Sequence, residues 1–239
     1  LNFDIVDYLL RTTEGGYKLV FSVIESKPGL LGIGAHYDND FKTGILIEAQ
    51  YRNLLVSADR IYAGINISQN AQMRADYTLY FGKKKRSFTS LHFYAENTDL
   101  PHYYVIDTLS SQNGKIRQSL WNAEYNLGIM LGLNAAIKLK GRYEWMEYGF
   151  SEGLEEWYGM EHIRYHSLRV GTDFNLNTMD NHFFAENGMK LDTRAEFVFP
   201  DSSGYFKLYG HYEYLIKLHE GFSACLEESA GWINSYTLM

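Results

Sequence analysis

The amino-acid sequence predicts an all-β protein, an antiparallel transmembrane β-barrel. Apolar and polar residues alternate in many segments of the 239-residue chain, these segments are long, and aromatic residues make up 16% of the composition, with 20 Tyr. Tyr joins an apolar ring to a hydroxyl that needs water, which suits strands and membrane interfaces. Only three Pro are present, so long hydrogen-bonded ladders can form without interruption.

The clearest alternation covers residues 121–133. Successive side chains of a strand point to opposite faces. One face is therefore predicted to carry Trp121, Ala123, Tyr125, Leu127, Ile129, Leu131 and Leu133. The other is predicted to carry Asn122, Glu124, Asn126, Gly128, Met130 and Gly132. One face is apolar along its whole length, and the other is polar or small.

The same pattern predicts eleven or twelve strands, joined by hairpin turns such as 39–40 and 202–204 and by longer polar loops such as 149–163. The predicted spans are 30–38, 43–52, 58–68, 72–82, 87–96, 101–108, 115–133, 135–148, 164–177, 188–199, 204–218 and 221–234.

Alternation alone fits two architectures, because an apolar face points inward in a soluble sandwich and outward to lipid in a membrane barrel. The predicted strands of roughly 9–14 residues exceed the usual 5–6 of soluble strands. Aromatic residues gather near strand ends, at 143–145 and 212–214, as in interfacial girdles. The polar face carries both charge signs densely, which suits a closed lumen. The predicted lumen-facing residues are Lys138, Lys140, Arg142, Glu144, Arg169, Asp173, Asp192, Arg194, Glu196, His211 and Glu213.

Charge and composition exclude several classes of protein. The net charge of −7 and the lack of a basic stripe with interleaved aromatics argue against nucleic acid as a partner. Cys225 is the single cysteine, which excludes an intrachain disulfide and a thiolate metal cluster. No run of 18 apolar residues predicts a spanning helix. The basic run Lys83–Arg86 is interpreted as a solvated turn rather than a patch for acidic lipid or sugar phosphates. No signal peptide opens the chain, so we expect an export signal upstream.

Residues 1–28 have a different pattern. A polar and apolar opening leads to Gly15 and Gly16, then to a predicted strand from Tyr17 to Ile24, and Pro28 marks a boundary. We therefore expect a small periplasmic segment over 1–28 and the barrel over 29–239.

Three motifs occur in order along the chain. The segment 29–41 reads GLLGIGAHYDNDF, residues 51–55 read YRNLL, and residues 180–184 read DNHFF with a glycine at 188. These motifs resemble the bacterial surface-antigen superfamily, the BamA/TamA-type outer-membrane barrels. Residues 16–25 resemble the last strand of a POTRA domain, the periplasmic module of that family. The matching positions are Gly32, Gly34, Tyr37, Asp38, Asp40, Asn53, Asp180, Phe184 and Gly188. The chain departs from the family at 56–57, where Gly is usual, and at 185–187, where Pro-Thr is common.

The resemblance implies an integral protein of the Gram-negative outer membrane, in contact with membrane lipid and lipopolysaccharide. The family barrel has sixteen strands, so the barrel is expected to be incomplete at its C-terminus. The amino-acid sequence of the first hairpin is most similar to that of barrels fused behind patatin-like phospholipase domains. The resemblance therefore implies anchoring, and insertion or export of a polypeptide such as a fused lipase.

Residue types that carry chemistry are present but have plainer interpretations. Residues 149–153 fit the pattern G-x-S-x-G around Ser151, yet a hydrolase would need a strand-to-helix turn there. Ser90 and His92 share one face of a predicted strand, which leaves a barrel-wall lipid hydrolase open as an alternative. Asp38 and Asp40 suit turn chemistry better than calcium. No cofactor or metal is expected, and this chain is not expected to be an enzyme. A passive pore is the other alternative.

Overall fold

The computed structural model describes residues 3–13, 16–25, 28–38, 42–106, 109–151, 159–180, 185–201, 203–219 and 222–236. Thirteen strands formed by these residues make up two antiparallel sheets. The strands are β1 (Phe3–Thr13), β2 (Gly16–Glu25), β3 (Gly29–Asp38), β4 (Lys42–Arg52), β5 (Asp59–Ile67), β6 (Ala71–Phe81), β7 (Ser87–Ile106), β8 (Leu109–Met130), β9 (Ala135–Phe150), β10 (His162–Asn177), β11 (Gly188–Pro200), β12 (Gly204–His219) and β13 (Phe222–Tyr236). No described helix is long and apolar enough to cross a membrane.

Strands β1 and β2 pair only with each other, and β3 to β13 form one eleven-stranded sheet in chain order. Among the described residues, β3 pairs only with β4, and β13 pairs only with β12. The all-β antiparallel fold class is confirmed. The assignment of residues 1–28 as the end of a POTRA-like segment stays a prediction.

The end of the sheet at which β3 begins is called the proximal end, and the opposite end is called the distal end. The proximal end contains Gly29, the connections 53–58, 82–86 and 131–134, and the described residues 178–180 and 185–187. The distal end contains the connection 68–70 and the described residues 151 and 159–161. Strands β7 and β8 extend beyond their neighbours at the distal end. The ladder between β6 and β7 ends at Asn97 of β7, whereas β7 continues to Ile106.

Two predicted strand boundaries were wrong. The predicted strands 87–96 and 101–108 are one strand, β7, because its ladder with β8 continues through Leu100 and Pro101 and shifts register only after His102. The predicted strand 115–133 is β8, which already begins at Leu109 and ends at Met130. Leu131 and Leu133 therefore lie in the turn to β9 and not on the apolar face of the strand.

The two faces of the large sheet differ sharply in burial. Apolar side chains on one face are open, as at Leu127, which is 46% exposed, whereas Asn126 on the other face is 0% exposed. Among the described residues, ten polar or charged side chains are buried and only one apolar side chain, Val198. A water-soluble domain shows the reverse distribution. The apolar face must therefore be covered by a non-aqueous medium.

Candidate functional site

The register of the strands brings most of the predicted lumen-facing residues into two adjacent groups of ion pairs, which together form one cluster on the polar face of β9, β10 and β11. Side chains on the same face of neighbouring strands lie opposite each other, so charges placed on the polar positions meet across the ladder. The cluster, called here the β9–β11 ion cluster, comprises Lys138, Lys140, Arg142, Glu144, Arg169, Asp173, Arg194 and Glu196.

Lys140 is the centre of this cluster and is only 5% exposed. Its Nζ lies 2.9 Å from Asp173 Oδ1 and also contacts Glu196 two strands away. Lys138 adds a contact of 3.2 Å to the other oxygen of Asp173, and Arg194 approaches the first oxygen at 3.4 Å. The desolvation of each charge is offset only because its partners surround it, so loss of one partner would leave another buried and unpaired.

Glu144 forms the second centre of the cluster. It is flanked by Arg142 at 2.8 Å and by Arg169, whose guanidinium donates to the other carboxylate oxygen. Charge-assisted contacts of this kind hold the planar guanidinium groups against the wall of the sheet. The charges of these residues are paired with one another and do not point into an open cavity.

Three predicted lumen-facing residues lie outside the cluster, although they share its face. Asp192 accepts a hydrogen bond from Asn175 Nδ2 at 2.6 Å and lies 3.6 Å from Lys190 Nζ. His211 Nδ1 is 2.9 Å from Ser229 Oγ. Glu213 lies opposite Lys190 and Glu227 in the ladders.

A second polar arrangement, on β6, β7 and β8, was found only in part from the sequence. His92 joins Asp76 at 2.7 Å through Nδ1 and Ser90 at 2.9 Å through Nε2. Asn126 Nδ2 donates to Ser90 Oγ at 3.2 Å and to Glu124 at 2.9 Å. The i, i+2 spacing of Ser90 and His92 is visible in the sequence. Asp76 and Asn126 become partners only through the strand register, which opposes His92 to Asp76 and Ser90 to Asn126.

The order Asp76, His92, Ser90 matches that of a Ser-His-Asp triad, but the surroundings do not support a nucleophile. Ser90 is 4% exposed, and its Oγ is already a hydrogen-bond acceptor for Asn126. A triad also needs a pair of N–H groups aimed at a developing oxyanion. Here the residues around Ser90 belong to continuous antiparallel ladders on both sides, which direct backbone N–H groups to the neighbouring strands.

Ser151 has a structural role as well. Its backbone N–H donates to Lys115 O at 3.2 Å, and its Oγ accepts from Lys115 N at 3.1 Å. These bonds fasten the end of β9 to β8. Residues 152–158 of the G-x-S-x-G region lie outside the described residues. The described residues contain no group of three or more His, Cys, Asp or Glu that could hold a metal ion.

Several family-motif positions have clear structural reasons. Asn53 adopts a φ of 56°, and its side-chain oxygen accepts from Ala58 N at 2.6 Å. Gly188 has a φ of 131°, and an added Cβ would lie 2.6 Å from Met179 Cα. Asp180 accepts from Glu186 N at 3.0 Å, which closes the same connection. Tyr37 is exposed on the apolar face.

The structure gives fewer reasons for the residues at the remaining motif positions. At Gly32 and Gly34 an added Cβ would lie 3.9 Å from its nearest neighbour, so packing does not require glycine there. The side chain of Asp38, all of Asp40 and Phe184 lie outside the described residues. The interpretation of Asp38 and Asp40 as turn residues stays a prediction.

Comparison with known proteins decides the family. The Omp85 superfamily domain matches residues 53–238. This chain belongs to the Omp85 superfamily. The inverted burial of its sheet and its family together establish an outer-membrane β-barrel protein. Omp85 barrels are a non-enzymatic family, which confirms the prediction that this chain is not an enzyme.

Solved structures agree on the fold. The crystal structure of BamA from Haemophilus ducreyi lacking POTRA domains 1–3 matches with a TM-score of 0.68 and 13% sequence identity, over 98% of this chain and 47% of that chain. The Omp85 chain described here thus spans about half the length of that structure. No curated protein sequence matches it.

Proposed function

We propose that this Omp85 barrel anchors a polypeptide in the outer membrane of a Gram-negative bacterium and exports or inserts it, with a fused patatin-like lipase as one such cargo. The carrying observation is strand β3, the first strand of the large sheet, which contains Gly29, Gly32 and Gly34. Glycine weakens a strand interior. A weak strand can part from its neighbours and expose backbone groups that pair with a client strand.

The steric freedom around these glycines supports the proposal. Packing leaves room for a larger residue at Gly32 and Gly34, whereas Gly188 has none. Larger residues at these two positions would strengthen β3 without a steric clash. The presence of glycine therefore suits a barrel wall that opens at this strand. Structural need alone gives no reason for glycine at 32 and 34.

The extended hairpin of β7 and β8 supports an orientation. Outer-membrane barrels carry their longer extensions outside the cell, so the distal end is assigned to the exterior and the proximal end to the periplasm. In this orientation the distal part of the apolar face meets lipopolysaccharide. The segment before β3 enters from the periplasm.

The double variant Gly32→Ala and Gly34→Ala tests the use of β3. It should fold at least as well as the wild-type protein, because each replacement strengthens a strand by roughly 0.5–1 kcal/mol, but it should export less. The matched control is Gly141→Ala with Gly210→Ala, since a Cβ at either position meets nothing within 4 Å. Export is measured on the full-length protein as protease accessibility of the preceding polypeptide in intact cells.

Two outcomes would overturn the proposal. If the preceding polypeptide stays protected in wild-type cells, the barrel is an anchor without export. If the β3 variant exports as well as the control, the glycines of β3 have no part in the process. Steady conductance in planar bilayers without export would instead assign a passive pore.

A further inference from the structure

The connection between β6 and β7 presents four unpaired cations at the proximal end. Lys83, Lys84, Lys85 and Arg86 are all exposed, and no described ion pair involves them. The turn is well defined, because Lys85 N donates to Gly82 O at 3.1 Å and Met130 N donates to Arg86 O at 2.8 Å. The whole chain has a net charge of −7, so this concentration of positive charge runs against its average.

Lys85 holds a backbone conformation that glycine would adopt more easily. Its φ is 52°, in the left-handed region that is unfavourable for residues with a side chain. Strain of this kind is found where a side chain is needed for function. The turn thus keeps a cation at a position where glycine would fit better.

The neighbouring turns at the proximal end are apolar. The β4–β5 connection exposes Leu54, Leu55 and Val56, and the β8–β9 connection exposes Leu131 and Leu133. The acidic group nearest in sequence to these turns, Asp59, is buried and accepts backbone hydrogen bonds. Apolar turns beside a basic one suit the boundary between acyl chains and lipid head groups.

A groove on the apolar face runs up to the basic turn. It has a volume of about 430 Å³, within the roughly 300–1,000 Å³ of typical ligand pockets. Phe81 and Ser87, which directly flank the turn and oppose each other in the ladder, form its proximal end. Its remaining walls are formed by β8 and β9, by the apolar side chains of Leu127, Ile129, Ile137 and Leu139 and by the intervening residues Gly128 and Lys138.

We propose that this groove and the basic turn form one binding site for an anionic phospholipid. An acyl chain lies in the groove between Phe81 and Leu139, and the phosphate lies against the cations of residues 83–86. Each Lys or Arg near an anionic membrane surface raises affinity about fivefold, and here four are held together. A phospholipid is favoured over lipopolysaccharide because the proximal end is assigned to the periplasmic leaflet, and this choice rests on the orientation proposed above.

The test measures lipid bound to the full chain, folded in detergent, by native mass spectrometry during titration with dioleoylphosphatidylglycerol. Dioleoylphosphatidylcholine, with the same chains and no net charge, is the lipid control. The variant Lys83→Gln with Lys84→Gln should bind phosphatidylglycerol about 25-fold more weakly. Its matched control is Lys115→Gln with Arg164→Gln, which removes two exposed cations from the distal half of the sheet and should bind like the wild-type protein.

A third variant separates the groove from the charges. Ser87→Phe fills the groove without altering any cation, and it should weaken phosphatidylglycerol binding several-fold in a barrel that still folds. Equal binding of the two lipids, or equal loss in the two charge variants, would overturn the proposal. Preferential binding of purified lipopolysaccharide at this site would overturn it too. The export measurement is independent, so failure of either proposal leaves the other standing.

Discussion

Gly171 lies directly between Lys140 and Glu196 in a row that crosses β9, β10 and β11. Because glycine has no side chain, the Lys140 ammonium can pass over β10 and contact Glu196. An added Cβ would lie 3.0 Å from both Cα and Cγ of Glu196 and would also contact Ala195 O. One missing side chain thus allows a buried ion pair to span three strands.

Gly171→Ala is expected to destabilise the barrel by about 1–3 kcal/mol, because the extra methyl group overpacks the site and separates the ion pair. Gly141→Ala is the control, since a Cβ there meets nothing within 4 Å. The free energies are measured by urea unfolding in lipid vesicles. Equal stability of the two variants would show that Gly171 does not place Lys140.

Ser90 is the second residue whose role depends on its surroundings. Its hydrogen bonds to His92 and Asn126 are expected to stabilise the sheet and not to activate the hydroxyl. A fluorophosphonate probe should therefore leave the folded chain unlabelled. Labelling that disappears in Ser90→Ala, but persists in Ser151→Ala, would contradict this and restore the hydrolase alternative.

At the scale of the element, one carboxylate organises the hairpin between β4 and β5. Asp59 accepts backbone hydrogen bonds from Leu54, Leu55 and Val56 at 2.9, 2.9 and 3.0 Å. The turn contains two non-glycine residues with positive φ, Asn53 and Ala58, and these bonds hold it in that shape. The exposed apolar tip of the turn depends on this support.

Asp59→Ala is expected to cost about 1–3 kcal/mol, because three N–H groups lose their acceptor at once. Asp201→Ala is the matched control, since Asp201 is exposed and accepts one hydrogen bond, from His166 N at 3.3 Å. Chemical unfolding of both variants gives the comparison. Similar losses would mean that water replaces the Asp59 carboxylate without penalty.

The sequence predicted elements well where the period of two was unbroken. Strand β11, predicted as 188–199, is found at Gly188–Pro200. It failed at residues 97–100, which were predicted to separate two strands, because the pairing of β7 with the 22-residue β8 continues through them and past Pro101. The sequence predicted that the residues of the ion cluster share one face of the sheet. Which residues pair with each other became known only from the strand register. The groove joins residues of four strands and could not be read from any single segment.

At the scale of the whole molecule, stability comes from an exchange of surroundings. Charged groups on the polar face are paired with each other, and the apolar face is left for lipid, so the membrane replaces the hydrophobic core of a soluble protein. Ladders between strands satisfy the backbone groups that lipid cannot hydrogen-bond. The introduction of the same charged residue should therefore destabilise the apolar face and leave the polar face almost unaffected.

Leu208→Arg and Tyr209→Arg test this difference at adjacent positions of β12. Leu208 is 48% exposed on the apolar face, and Tyr209 is 43% exposed on the polar face. A lipid-facing arginine costs about 2–4 kcal/mol at the bilayer midplane and less near the interfaces, whereas an arginine beside water and ion pairs costs little. Leu208→Arg should reduce the folded fraction in vesicles, measured by the heat-dependent shift of the barrel in gel electrophoresis, and Tyr209→Arg should leave it nearly unchanged. Equal losses, or a greater loss for Tyr209→Arg, would mean that the two faces have been assigned to the wrong surroundings.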